Sequence, residues 1–385
     1  MTAPSPLFDL DDSAALVAAD VDGVLRSAAL AGAQVRATAA AVVESVSGRL
    51  QDLRPRSVVF VCGDGRAGRA ASILVAALGA RIGVPLVHAA GTPPWVGPLD
   101  VVLVCGDDAG DPRLAESTSA AVRRGAETVL VTPDEGPLRS AAAGRGIFVP
   151  PRIAVREHNT VMRYLAADIA VLGALADGAY RPLLPDLDVL ADLLDGEAAR
   201  NHPSHEVFHN PAKSLAARMS GARVVLTGSS PVAVEVARHA GEILFRAAGI
   251  VSATGELGDV VAAAIAAGRV ASTDSAAQYD PFFHDEQVDG PRPQPPVRVM
   301  VFAAPDAVAT TERRTAAVPD VEVLSADTSM FEIPGSGYTH AGSRDSGARA
   351  NTGLDAAKPD ELGSMTLLAT RLEMAAAYLH VMGGR

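Results

Sequence analysis

Apolar β-branched runs and stretches with helical spacing alternate along most of this chain. Residues 10–54 are rich in Ala and Val. Their apolar positions fall at Val24, Leu25, Ala28 and Leu30, then at Val42, Val43, Val46 and Leu50, which predicts one or two helices. Strands are predicted over 57–62, 85–88, 100–105, 128–131 and 147–149, with helices over 70–81 and 114–124 between them and a long apolar helix over 160–173. Short apolar strands separated by helices indicate a parallel sheet covered on both faces.

Residues 177–209 mix Pro, Asp and His and read as a connection, after which the alternation restarts. Helices are predicted over 211–219, 232–249, 257–267 and 362–382, and strands over 223–227, 297–303 and 321–324. The fold class expected is α/β, with two tandem flavodoxin-like, three-layer αβα units. The first unit, with its N-terminal helices, is assigned to 1–200 and the second, with long loops, to 201–385. Two stretches, 275–296 and 334–359, read as long loops, and loops of that length are usually lids or disordered segments.

Composition narrows the class. Apolar residues make up 48% of the chain, enough for full-sized cores. The net charge is −12 and the pI about 5.2, which argues against nucleic acid as a partner, since a phosphate backbone needs a basic face. The N-terminus carries neither a basic patch nor an apolar segment, and no apolar run is long enough to span a membrane. Cys62 and Cys105 each end a strand-like run and read as buried free thiols, so the chain is expected in the cytoplasm, away from any membrane.

Several positions carry chemistry. Gly63, Gly65 and Gly68 fit G-x-G-x-x-G between a strand and a helix. A dinucleotide reading needs an acidic residue at the end of the next strand, and the chain there is PLVHAAG. The turn is left with two readings: a tight turn without a ligand, or backbone N–H groups facing an anion, with Arg66 and Arg69 adding charge. Thr227, Ser229 and Ser230 end a second strand before Pro231; helix capping explains Ser230, and the hydroxyls equally suit a phosphate or sugar. Glu256 is either a base for moving a proton between adjacent sugar carbons or a carboxylate at a helix start. His284 lies on a loop and is a candidate acid or base. The histidines at 202, 205 and 209 depart from the H-E-x-x-H spacing, so no metal is expected, nor any cofactor.

The order of these features resembles the bacterial and archaeal bifunctional glucose-6-phosphate/mannose-6-phosphate isomerases, a branch of the SIS fold. The stretches that carry it are VVFVCGDGRAG from Val58, RGAETVLVTPDEGPLRSAAAGRGIFVPPR from Arg124, NPAKSLA from Asn210, RVVLTGS from Arg223 and LGSMTLLATRLEMAAAYLHVMGG from Leu362. The resemblance implies aldose–ketose isomerisation of a sugar phosphate, between glucose 6-phosphate or mannose 6-phosphate and fructose 6-phosphate. It places Glu256 where the family has an acidic residue and Arg152 where it has the arginine after proline. It also implies a homodimer, with a histidine of the neighbouring subunit assisting ring opening. Residues 106–111 read GDDAGD, however, where the family has a hydroxyl-bearing phosphate loop. That departure raises an alternative: a non-catalytic binder of sugar phosphates or nucleotide sugars that regulates a partner enzyme.

Overall fold

The computed structural model describes residues 9–63, 65–271, 295–326 and 360–383. Its order begins with helices α1 (Ser13–Ala19), α2 (Val24–Ala28), α3 (Ala31–Ser45) and α4 (Ser47–Leu50). The first sheet region follows: β1 (Ser57–Cys62), α5 (Arg66–Leu78), β2 (Leu86–Ala89), β3 (Asp100–Cys105), α6 (Pro112–Arg123), β4 (Glu127–Val131), α7 (Gly136–Ala142) and β5 (Ile147–Phe148). A 3-10 turn (Glu157–Asn159), α8 (Val161–Ala174), α9 (Leu187–Arg200) and α10 (Pro211–Met219) lead to the second sheet. There the order is β6 (Arg223–Gly228), α11 (Pro231–Ala248), β7 (Ser252–Thr254), α12 (Leu257–Ala271), β8 (Val297–Phe302), α13 (Val308–Thr315) and β9 (Val321–Leu324), and α14 (Asp360–Met382) closes the chain.

Both sheets are parallel throughout, with strand orders β2-β1-β3-β4-β5 and β7-β6-β8-β9. The expected α/β class with two flavodoxin-like units therefore stands. β1 (SVVFVC) and β3 (DVVLVC) are buried at every position, because helices cover both faces of the sheet. In each sheet the chain runs from the first strand outward to one neighbour and then crosses to the other side. The topological switch points lie between β1 and β3 and between β6 and β8. Beyond the carboxyl ends of such strands, a crevice opens that binds ligands in folds of this kind.

Three expectations need correction. Residues 10–54 form four helical pieces, because Gly23 takes a left-handed conformation and the Asp20 carboxylate caps the amides of Val24 and Leu25. The stretch read as a connection contains α9, capped by Asp186 and packed between α3 and α14. Helix α5 starts at Arg66, four residues before the predicted start at 70, and carries Gly68 within it. A Cβ on Gly68 would lie 2.5 Å from the Gly63 carbonyl oxygen, so that glycine is required by the close packing of the helix start on the turn.

Helix α14 is buried at every position from 362 to 379. A helix without a polar face belongs in a core, and α14 packs against α2, α9, α10 and α11. The NPAKSLA stretch is part of this fastening. Asn210 caps α10 and donates to Tyr378 Oη at 3.3 Å, and buried Lys213 donates to the carbonyls of Pro203 and His205, both at 2.7 Å. The 202–209 segment is thus held by a buried ammonium; the His202 ring meets Ser204, and His209 packs edge-on against Phe208.

Candidate functional site

The turn after β1 is strained in a way that only glycine tolerates: Gly65 has φ 119° and ψ −155°. It precedes the first residue of α5, Arg66, whose side chain is 8% exposed. One guanidinium nitrogen meets Glu242 on α11 at 3.5 Å, while Nε and Nη1 are buried without a partner among the described residues. Buried donors lacking an acceptor cost about 1–3 kcal/mol each and need an explanation. Gly63 is not held by sterics, since an added Cβ would meet only Arg113 Nη2, at 3.5 Å. That contact places the Arg113 guanidinium over the turn. A helix N-terminus, a turn open to close approach and arginine forks together suit a phosphate.

The charge of the acidic stretch after β3 is partly offset, because two of its three carboxylates meet arginines. Asp107 accepts from Arg163 Nη2 at 2.5 Å. Asp108 folds back onto the Gly110 amide at 2.7 Å. Asp111 caps α6 through the Arg113 amide at 2.8 Å and meets the Arg113 guanidinium at 3.3 Å. Arg163, with a side chain 4% exposed, also keeps Nε and Nη1 unpartnered among the described residues and lies 4.3 Å over the Tyr164 ring. Sequence reasoning missed Arg113 and Arg163. The signals were the Asp-Pro-Arg helix start at 111–113 and a lone arginine and aspartate, Arg163 and Asp168, in an otherwise apolar helix.

Beneath the β1/β3 switch point lies a buried polar cluster. Cys62 and Cys105 are register partners on neighbouring strands, and the Cys105 thiol points to Asp168 Oδ1 at 3.9 Å. Contact with Cys62 and burial push the Cys105 thiol well above its ordinary range. Burial does the same to the Asp168 carboxyl, against the Cys105 contact that lowers it. The folded carboxyl thus holds its proton to higher pH than the unfolded one, so the stability it contributes is complete below the ordinary carboxylate range and is lost as pH rises through the elevated native pKa. Asp168→Asn is expected to remove this dependence. Urea midpoints of the wild type should fall relative to the variant with rising pH, at no more than about 1.4 kcal/mol per pH unit. Parallel pH curves for the two proteins would contradict this.

The other candidates are placed as follows. Thr227 turns its hydroxyl to the Gly255 carbonyl at 2.8 Å, and Ser230 caps α11 through the Ala233 amide at 3.2 Å. Ser229 is half-buried, and its side chain has no partner among the described residues. Helices α5 and α11 pack directly together, and Arg69 is ion-paired with Glu235 and Glu242. Side chains thus fill the space between the two helices, and the unpartnered donors gather at the end of the first sheet. Glu256 is 63% exposed and meets Arg238 at 3.4 Å. Through Arg238, Glu235, Arg69 and Glu242, alternating charges run from Glu256 to Arg66. Arg152 is bound to Glu44 on α3 in an exposed pair. His284 lies outside the described residues, as do Asp64 and most of both long loops. A concavity of about 320 Å³ around Arg218, Arg298, Asp320 and Glu322 sits at the opposite, amino end of β8 and β9.

The chain matches no family model and no curated protein sequence. It is similar to solved structures along nearly its whole length. One, from Silicibacter pomeroyi DSS-3, is designated a phosphosugar isomerase: 16% identity, TM-score 0.54, covering 94% of this chain and 96% of that one. Another of that designation, from Bacillus subtilis, has 15% identity and TM-score 0.54, with 92% and 94% covered. The C-terminal domain of glucosamine-fructose-6-phosphate aminotransferase from Francisella tularensis has 10% identity and TM-score 0.50, with 94% and 96% covered. At these identities the likeness is one of architecture: two parallel-sheet α/β units of the SIS type make up this chain.

Proposed function

We propose that this protein binds a sugar phosphate at the β1/β3 switch point, in a seat made by the glycine turn, Arg66 and Arg113. The observation that carries this reading is the buried Arg66 fork, with two unpartnered nitrogens at the start of a helix. The helix dipole, the turn amides and the fork all favour a dianion. The names of the similar structures point to the same ligand class. The reaction proposed is interconversion of glucose 6-phosphate or mannose 6-phosphate with fructose 6-phosphate, in a cytoplasmic homodimer divided at residue 200/201. No cofactor is needed, because a proton moves between adjacent carbons without net oxidation. Glu256 is the proposed base, with Arg152, His284, Gly68, Thr227, Ser229 and Ser230 completing the pocket.

The exposure of Glu256 and its pairing with Arg238 favour a second reading, a non-catalytic sugar-phosphate or nucleotide-sugar sensor. A coupled isomerase assay together with calorimetric binding separates the two. For an isomerase, Glu256→Gln should abolish turnover and leave fructose 6-phosphate binding within about twofold; for a sensor, the wild type binds without turnover. A ligand at 100 times its Kd should add about 2.7 kcal/mol of stability. A flat thermal response to every sugar phosphate tested would end both readings.

A further inference from the structure

β3 pairs with β1 in register, Cys105 beside Cys62, so Gly106 and Asp107 leave the sheet next to Gly63, where the glycine turn begins. The loop that follows borders the anion seat from the β3 side. Its far end supplies Arg113, whose guanidinium would meet a Cβ on Gly63 at 3.5 Å and is held by Asp111 at 3.3 Å. Its near end supplies Asp107, with a side chain 41% exposed. This carboxylate is firmly fixed at one oxygen. Oδ1 accepts from Arg163 Nη2 at 2.5 Å. Oδ2 lies 3.4 Å from the Thr160 hydroxyl, whose proton goes to the nearer carbonyl of Glu157 at 2.9 Å. Oδ2 therefore keeps most of its accepting capacity, in a group with about four lone-pair sites. The guanidinium aimed at Asp107 is 4% exposed and retains two unpartnered nitrogens among the described residues. Burying that charge is costly, and what it secures is the position of one carboxylate at the mouth of the crevice.

We propose that Asp107 reads the hydroxyl groups of the ligand, and so selects a polyhydroxylated phosphate monoester over a simple alkyl phosphate. This rests on the phosphate-seat reading and gives the bound molecule a direction. Its phosphate faces Arg66 and Arg113, and its hydroxyl-bearing carbons face Asp107. A carboxylate only accepts, so it suits O–H donors and turns phosphate oxygens away. Arg163 and the start of α8 at Val161 offset the charge of Asp107, which lets a dianion be held nearby. Hydrogen bonds to a charged acceptor are stronger than those between neutral groups. A site built to bond a hydroxyl also rejects an analogue lacking it, because the acceptor is then left unpaired.

Calorimetry on the full chain compares glucose 6-phosphate with methyl phosphate, which carries the same ester and no hydroxyl. The wild type should prefer glucose 6-phosphate by roughly tenfold or more, the scale of one hydrogen bond to a charged group. Asp107→Asn should weaken glucose 6-phosphate about tenfold. The same variant should strengthen methyl phosphate, since a negative charge leaves the rim of the seat, so the preference collapses. Asp107→Glu keeps a charge for Arg163 and displaces the oxygens by a methylene. It should lower the preference too, and it decides the matter if Asp107→Asn leaves Arg163 unpaired and the chain unfolded. Mono-deoxy glucose 6-phosphates locate the contact: one of them should bind the wild type roughly tenfold more weakly than the parent sugar, and should match the parent on Asp107→Asn. Equal weakening of both ligands by Asp107→Asn, or a deoxy penalty that survives in that variant, overturns the inference and leaves the phosphate seat standing. A wild type that binds methyl phosphate as tightly as glucose 6-phosphate does the same. Binding of neither ligand overturns both.

Discussion

Arg66→Ala is expected to lower fructose 6-phosphate affinity about a hundredfold without loss of stability. A charge-assisted hydrogen bond is worth about 1.5–3 kcal/mol, and each 1.4 kcal/mol is a factor of ten, so losing the fork alone accounts for the drop. Stability should hold because the fork's partners are few. Glu242 keeps its ion pair with Arg69, and two unpartnered buried donors disappear with the side chain. Arg66→Lys should recover part of the loss, since it restores a charge and not a planar fork. Calorimetric titration checks both variants. Affinity unchanged in Arg66→Ala would place the phosphate elsewhere.

The second large effect is on folding. Gly228→Ala is expected to destabilise the protein by ~3 kcal/mol or more, read from urea midpoints. Its Cβ would lie 2.3 Å from the backbone of Ala233 and Val234, so α11 would have to lift from β6. Gly68→Ala meets the Gly63 carbonyl and should behave alike. Gly63→Ala is the control: its Cβ makes an ordinary contact with Arg113, and the cost should stay within about 1 kcal/mol. It should nevertheless weaken ligand binding, because the methyl occupies the face of the turn that the phosphate approaches. Equal stability losses at positions 63 and 228 would show that the two turns are not packed as described.

The central strands were legible in the sequence because both their faces are buried, whereas β7, a three-residue edge strand with two exposed positions, was not. β1 and β3 announce themselves as unbroken apolar runs, and Pro231 with Ser230 marks the start of α11. Helix α9 was not legible, since Pro, Asp and His around it suggest a loop while Leu187, Leu190, Leu193 and Leu194 carry the helical spacing. At the site, local pattern located the turn and could not weigh its neighbours. Whether GDDAGD repels or accepts a phosphate depends on Arg163, more than fifty residues away in the chain, and on the capping geometry of Asp111. Arg152 shows the reverse: a position selected by motif order whose guanidinium is bound to Glu44.

A crystal structure of the protein with glucose 6-phosphate is the most direct test of the phosphate seat. The phosphate oxygens should lie within hydrogen-bond distance of Arg66 and of the amides that open α5, with Arg113 turned toward them. Density for the phosphate at Ser229 and Ser230, or in the concavity beside Arg218 and Arg298, with the Gly65–Arg66 turn unchanged, would contradict it.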